Sequence, residues 1–207
     1  MCVRVQEVMQ LPGLSTSDVA EAADRLGLQI GLLPGLRRVS GAGLVMGRAH
    51  VATAHPSDEP GLPGLGQLLS TCPSDGIVVI GWSGATVAST FGGTAARRMA
   101  DAGRPGLITD GYVRDVEELR RSGFAVWSAD TTPCTGIGRL RLDAGVQEAR
   151  VSGIVVHKDD VVVADDTGIC VLPEVAAQAI LSRAARGAEE DALVRAILDR
   201  DTGGKPS

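Results

Sequence analysis

The chain has 207 residues, 44% hydrophobic and 22% charged, which suffices for one substantial core and is short for two independent domains. Its net charge of -5 argues against a nucleic-acid backbone as the main partner, because binding one needs clustered Lys and Arg, and no segment approaches the length of a membrane span. Aromatic residues make up only 2%, so the core must come from Val, Leu, Ile and Ala, as suits an α/β sheet.

Ser15-Thr16-Ser17-Asp18 is a capping signal, and Val19, Ala22, Ala23 and Leu26 follow at helical spacing, so a first helix is predicted to end near Gly27. From Leu32 to Gly66 the chain is rich in Gly and Pro, with short strands predicted at Gly43–Met46 and Ala49–Ala52. Pro-Gly-Leu recurs at 12, 34, 60, 63 and 105, but the irregular spacing reads as turn chemistry rather than a repeat. Gly76–Gly81 is an apolar run bounded by glycines, the pattern of a strand buried on both faces. Thr94–Ala102 reads as a helix, Gly106–Thr109 as a strand, Arg114–Arg121 as a helix and Phe124–Trp127 as a strand. The resulting β-α-β-α-β order predicts parallel pairing, with ligands collecting outside the carboxyl ends of the strands.

Beyond Thr131 the runs 152–156, 160–164 and 168–172 predict a meander, with Asp165-Asp166-Thr167-Gly168 as a hairpin turn. Pro173 suits a helix start; Val175, Ala179, Ile180 and Ala184 give one apolar face, and Glu189-Glu190-Asp191 opens a second helical stretch after Gly187. Residues 201 to 207 read as frayed. The four cysteines, at 2, 72, 134 and 170, include no C-x-x-C pair and have no His at ligand spacing, so they read as reduced, mostly buried thiols. The first residues show no signal-peptide pattern, and a cytoplasmic protein is expected.

Two segments can carry chemistry. Gly92-Gly93-Thr94-Ala95 opens a helix, where unpaired amides and glycine's small size can present N–H groups to a carboxylate or phosphate; a ligand-free tight turn is the plainer reading. Asp110-Gly111 reads as a turn, and Arg114 then falls in a first helical turn, where the dipole disfavours a cation. A guanidinium there can clamp a carboxylate, while Asp115 and Glu118, at i and i+3, can offer oxygens to Mg²⁺ or Mn²⁺; a solvated surface ion pair accounts for the same residues equally well. Gly81-Trp82-Ser83-Gly84 does not complete a nucleophile elbow, and Gly136–Arg141 lacks the third glycine of a dinucleotide fingerprint. His50, His55 and His157 are scattered and read as polar or core histidines.

The spacing of Gly93, Arg114, Asp115 and Glu118, together with the Val156–Pro173 segment, resembles the RraA-like proteins over about residues 15 to 200. That family includes divalent-metal-dependent 4-hydroxy-4-methyl-2-oxoglutarate aldolases, oxaloacetate decarboxylases and regulators of ribonuclease activity. Departures stand at Gly81-Trp82, where an acid is usual, at Lys158-Asp159-Asp160 in place of P-G-D, and at Glu21-Ala22 in place of D-A. The resemblance implies an α/β fold of β/β/α type over residues 1–207, with a central β-α-β core, a C-terminal strand meander and then helices, assembled as a homotrimer or a dimer of trimers with sites at subunit contacts.

It further implies a metal-dependent carbon–carbon lyase that cleaves or decarboxylates a small 2-oxo acid through a pyruvate enolate. Asp115 would hold Mg²⁺ or Mn²⁺ as the Lewis acid, Glu118 would hold a metal-bound water, and Arg114 with the amides of Thr94 and Ala95 beside Gly93 would fix the substrate carboxylate. Ribonuclease regulators of the family generally lack the aspartate after the arginine, so Asp115 favours the enzyme. The alternative is a non-catalytic trimeric regulator or interaction protein on the same scaffold.

Overall fold

The computed structural model describes residues 13–84 and 86–202. In chain order the elements are α1 (Thr16–Leu26), β1 (Gly31–Leu32), β2 (Arg37–Ser40), β3 (Val45–Pro56), α2 (Leu65–Thr71), β4 (Gly76–Trp82), β5 (Ser89–Phe91), α3 (Gly93–Asp101), β6 (Gly106–Val113), α4 (Val116–Ser122), β7 (Ala125–Thr131), β8 (Leu140–Ala144), β9 (Glu148–Val151), β10 (Ile154–His157), β11 (Val161–Ala164), β12 (Ile169–Leu172) and α5 (Glu174–Thr202). The architecture is an α/β domain with a central mixed sheet flanked by helices.

The main sheet runs β1-β12-β11-β3-β4-β6-β7-β2, with β5 beside β6 and β8 beside β3; β9 and β10 form a separate hairpin. β3, β4, β6 and β7 pair in parallel, as the alternating strand and helix patterns require, and the meander strands add on antiparallel. β3 is one twelve-residue strand rather than the two short ones expected, because Gly47-Arg48 interrupts the apolar run without ending the ladder. At Gly47 a Cβ would collide with the Asp75 carbonyl, so the interruption is a close backbone approach. The backbone of α5 continues through Gly187 instead of dividing there.

Three apolar clusters result. One lies between the sheet and α2, α3 and α4, with Leu68, Met99 and Leu119 against Ile80 and Leu107. A second is enclosed by the sheet and the β9–β10 hairpin, around Trp127, Ile108 and Val151. The third joins α1 and α5 to the meander through Val19, Ile180 and Leu172. The sheet curls around the second cluster far enough that Trp127 Nε1, on β7, donates to the Asp165 carbonyl beyond β11 at 3.0 Å. No described helix is long and apolar enough to cross a membrane.

Candidate functional site

β5 leads directly into α3, and β6 into α4, so the two segments singled out in the sequence meet at the carboxyl ends of adjacent parallel strands. Gly92 is the N-cap of α3 and Gly93 its first residue. Both are glycines because two side chains from the next turn lie across them: a Cβ on Gly92 would stand 2.9 Å from Asp115 Oδ2, and one on Gly93 would overlap Glu118. The Arg114 amide donates to the Phe91 carbonyl at 3.1 Å, which fixes the two turns against each other.

Arg114 and Asp115 precede α4 rather than forming its first turn. Asp115 is the N-cap, held in the left-handed region at φ 59°, a conformation that Asp tolerates better than most residues. This turns its carboxylate back toward α3. Oδ2 accepts the Gly93 N–H at 3.3 Å and lies 3.5 Å from Arg114 Nε. The acid thus serves the positive end of the helix that was expected to bind a ligand, and the arginine beside it neutralises it.

A cleft of about 400 Å³ opens next to this turn, with Thr94, Ala95 and Arg114 on one side and Leu62, Phe91 and Ile137 on the other. Arg114 is the single charged residue among its described lining residues. Glu118 instead opens onto a separate cleft between α3 and α4, with Arg97, Asp101 and Arg121. Gly93, Thr94, Ala95, Arg114 and Asp115 therefore lie together at this turn, but only Thr94, Ala95 and Arg114 of these line the cleft; Gly93 and Asp115 stand behind it, and Glu118 touches Gly93. The apolar wall from Leu62 and Ile137 was missed, since the Gly/Pro-rich segment and the loop after β7 carry no periodic signal.

The expected Mg²⁺ or Mn²⁺ centre has no cluster of three or more ligating side chains behind it among the described residues. Mg²⁺ takes six oxygens, several of them from water, on one or two carboxylates. Asp115 is engaged by a backbone amide and a guanidinium, and it stands at the N-cap of α4 rather than inside the first turn with Glu118.

Another unexpected pair concerns Asp110 and Gly81. Asp110 is not in a turn but inside β6, at a register shift between Thr109 and Tyr112. Its Oδ1 accepts the Trp82 N–H and its Oδ2 the Ser152 N–H, each at 2.7 Å, so it ties β4 to the β9–β10 hairpin. Burial pushes its carboxyl above the usual range, against the lowering effect of those bonds. The departure at Gly81-Trp82 belongs to the same arrangement: the Arg150 carbonyl would lie 2.5 Å from a Cβ on Gly81. The histidines divide as well: His50 is buried against Thr71, with burial holding its pKa down, whereas His55 lies between Ser83 and Asp143 at 2.7 and 3.2 Å.

The RraA-like profile, described as Aldolase/RraA, matches residues 16–171, three quarters of the chain. The chain belongs to the RraA-like family. Protein DlpA of Legionella pneumophila is 23% identical over 178 residues, 85% of this chain but only 29% of that protein's length. A putative 4-hydroxy-4-methyl-2-oxoglutarate aldolase of Halalkalibacterium halodurans is 23% identical over 93% of this chain and 89% of its own. The crystal structure of Streptomyces coelicolor RraAS2, an unusual member of the RNase ES inhibitor RraA protein family, superposes with a TM-score of 0.78 at 24% identity, covering 93% of this chain and 96% of that one. The chain is thus similar in sequence to a protein named as a putative aldolase and in fold to proteins named from an RNA-processing inhibitor family. The expectation of a metal-dependent carbon–carbon lyase is overturned: among the described residues no group of three or more His, Cys, Asp or Glu is placed to hold an ion, and proteins named as RNA-processing inhibitors have the same fold.

Proposed function

We propose that this chain is a non-catalytic RraA-like regulatory protein that acts by binding another protein, an RNA-processing ribonuclease. The observation that carries this reading is the inward turn of Asp115: its carboxylate caps α3 and faces Arg114, so the motif is satisfied within the chain. The name of the S. coelicolor relative, from an RNase ES inhibitor family, supports a ribonuclease as the partner. A net charge of -5 supports a protein rather than an RNA contact.

In this reading the Arg114 cleft is the docking point. Thr94, Ala95 and the guanidinium of Arg114 receive an acidic side chain of the partner, and Leu62, Phe91 and Ile137 receive the apolar residue beside it. Gly93, Asp115 and Glu118 fix the shape of that floor. A homotrimer or a dimer of trimers would repeat the cleft around a ring, and a multivalent ring binds a long partner more tightly than one copy does. No Mg²⁺, Mn²⁺ or 2-oxo acid is required.

The test is cleavage of a labelled RNA by a purified RNase E-type endonuclease with increasing amounts of this protein. Cleavage should slow at near-stoichiometric concentrations, and the two proteins should co-sediment. Sustained pyruvate release from 2-oxo acids with Mg²⁺ would instead overturn the reading.

A further inference from the structure

At the opposite end of the sheet stands a guanidinium whose hydrogen-bonding capacity is not met. Arg38 on β2 pairs across the ladder with Trp127 on β7, so their side chains share a face, and the guanidinium carbon lies 4.7 Å from the centre of an indole ring. The Arg38 side chain is only 8% exposed. Nη2 donates to the Gly43 carbonyl. Nε lies 3.2 Å from Asp166 Oδ1, but without the alignment of a hydrogen bond, and both Nε and Nη1 are buried with no partner among the described residues. A buried cation with two unmatched donors is costly unless something supplies the missing acceptors.

Beside it lies a cleft of about 670 Å³, between the β2–β3 loop and the end of α4, and Arg38, Ser40, Arg120 and Asp166 are among its lining residues. The loop is built to stay in place. Gly41 is left-handed at φ 81° and pressed so closely on β7 that a Cβ would stand 2.6 Å from Ala125 Cα, while Ser40 Oγ donates to the Phe124 carbonyl at 2.7 Å. Arg120 Nε donates to the Val39 carbonyl at 3.3 Å, which brings a second guanidinium to the rim. The one acid among the lining residues is Asp166, whose side chain is 82% exposed and therefore a weak counter-charge.

We propose that this cleft binds a phosphate group, with Arg38 and Arg120 as its cationic partners and Asp166 as the carboxylate it displaces. Two arginines against one solvated acid leave a net positive cleft on an acidic protein. A tetrahedral oxyanion carries more acceptors than Asp166 and can meet the Nε and Nη1 donors of Arg38 that a single carboxylate oxygen held off-line leaves unmatched. Displacing Asp166 also uncovers Nε, while the indole of Trp127 keeps the guanidinium plane fixed. The site is separate from the Arg114 cleft and does not depend on the proposed partner.

The experiment is calorimetric titration of the full chain with inorganic phosphate and, in a second arm, with ribose 5-phosphate, using acetate as the carboxylate control. One phosphate per chain is expected, bound more tightly than acetate, and the arms show whether the free anion or its ester is preferred. Asp166→Asn should tighten binding several-fold by removing the competing acid. Arg120→Gln, which keeps a donor for the Val39 carbonyl, should weaken it about tenfold, and Arg38→Met, which keeps contact with the indole, should abolish it. If Arg38→Met fails to fold, the Asp166→Asn and Arg120→Gln pair still decides. No heat with phosphate on the unmodified chain, binding indifferent to both of those substitutions, or binding lost with Arg114→Gln instead overturns the proposal.

Discussion

Asp110 and Ser152 are 42 residues apart, and the carboxylate of the first accepts the backbone N–H of the second at 2.7 Å while its other oxygen holds Trp82. Both oxygens are thus acceptors, and both bonds join elements distant in the chain. Asp110→Asn should cost about 1–3 kcal/mol, because the amide must set an N–H against one of the two donors. Burial raises the Asp110 pKa, so the folded state holds its proton to higher pH than the unfolded state does. This contribution to stability is therefore full below the ordinary carboxylate value and declines as pH rises through the folded value. Urea unfolding from pH 3 to 7 should show that decline and should lose it in Asp110→Asn; an unchanged profile would remove Asp110 from this role.

Asp165 behaves in the opposite sense. Burial alone would raise its pKa, but bonds from the Thr16 amide and hydroxyl and from the Thr167 and Gly168 amides outweigh it and hold the carboxyl below its usual value. The stability it contributes is present above the unfolded pKa and is lost as pH falls through the folded one. Asp165→Ala should cost about 2 kcal/mol, on the scale of losing a helix cap together with its turn. Acid unfolding of the native protein should begin below the ordinary carboxylate range, and the variant should lack that component.

Chelation offers a direct check on the Asp115 geometry. Because the carboxylate caps α3 from within the chain, excess EDTA should leave the melting temperature and partner binding unchanged, and added Mg²⁺ should not raise stability. Asp115→Ala should lower stability by about 1 kcal/mol through loss of the cap and strain at φ 59°, with Asp115→Asn intermediate. A rise of several degrees in melting temperature with Mg²⁺, lost in Asp115→Ala, would show that a cation does compete for the carboxylate.

Thiol labelling should divide the described cysteines. Burial pushes Cys72 up to about 11 and Cys170 up to about 12, so neither forms appreciable thiolate at pH 8. Cys134, which is only half-buried, should react first with a maleimide, and Cys72 and Cys170 only on unfolding. Mass spectrometry of the native protein after brief labelling would show the order.

Gly81→Ala should destabilise by about 1–3 kcal/mol, since the new methyl group must displace the Arg150 carbonyl and with it the β9–β10 hairpin. Thermal unfolding reads this directly, and a variant as stable as the parent would show that the hairpin moves freely.

How far the chain could be read in advance depended on whether the deciding interaction was local. α1 was legible because Ser15 and Asp18 form a capping box within four residues and Gly27 closes the helix at φ 66°. β4 was legible because burial on both faces leaves an unbroken apolar run. The meeting of Gly92-Gly93 with Arg114 followed from the strand order. What Asp115 does there depends on a left-handed turn that places the helix start two residues later than the pattern suggests, and no periodicity encodes that. The unmatched donors of Arg38 and the twin bonds of Asp110 were hidden for the same reason. Whether a charge is buried is decided by strands distant in the chain, and in sequence both look like ordinary polar positions.

The bonds from Thr16 to Asp165 span 149 residues and fasten the first described helix to a turn near the end of the sheet. A chain emerging from the ribosome therefore makes α1 early but cannot dock it until the 165–168 turn and β12 have been synthesised. At roughly 5–20 residues per second that interval is on the order of ten to thirty seconds, during which Val19, Ala22 and Ala23 have no meander to cover them. Truncation before residue 165 should thus leave a species that collapses but stays prone to aggregation, and protection of α1 against hydrogen exchange should arise in the last kinetic phase of folding.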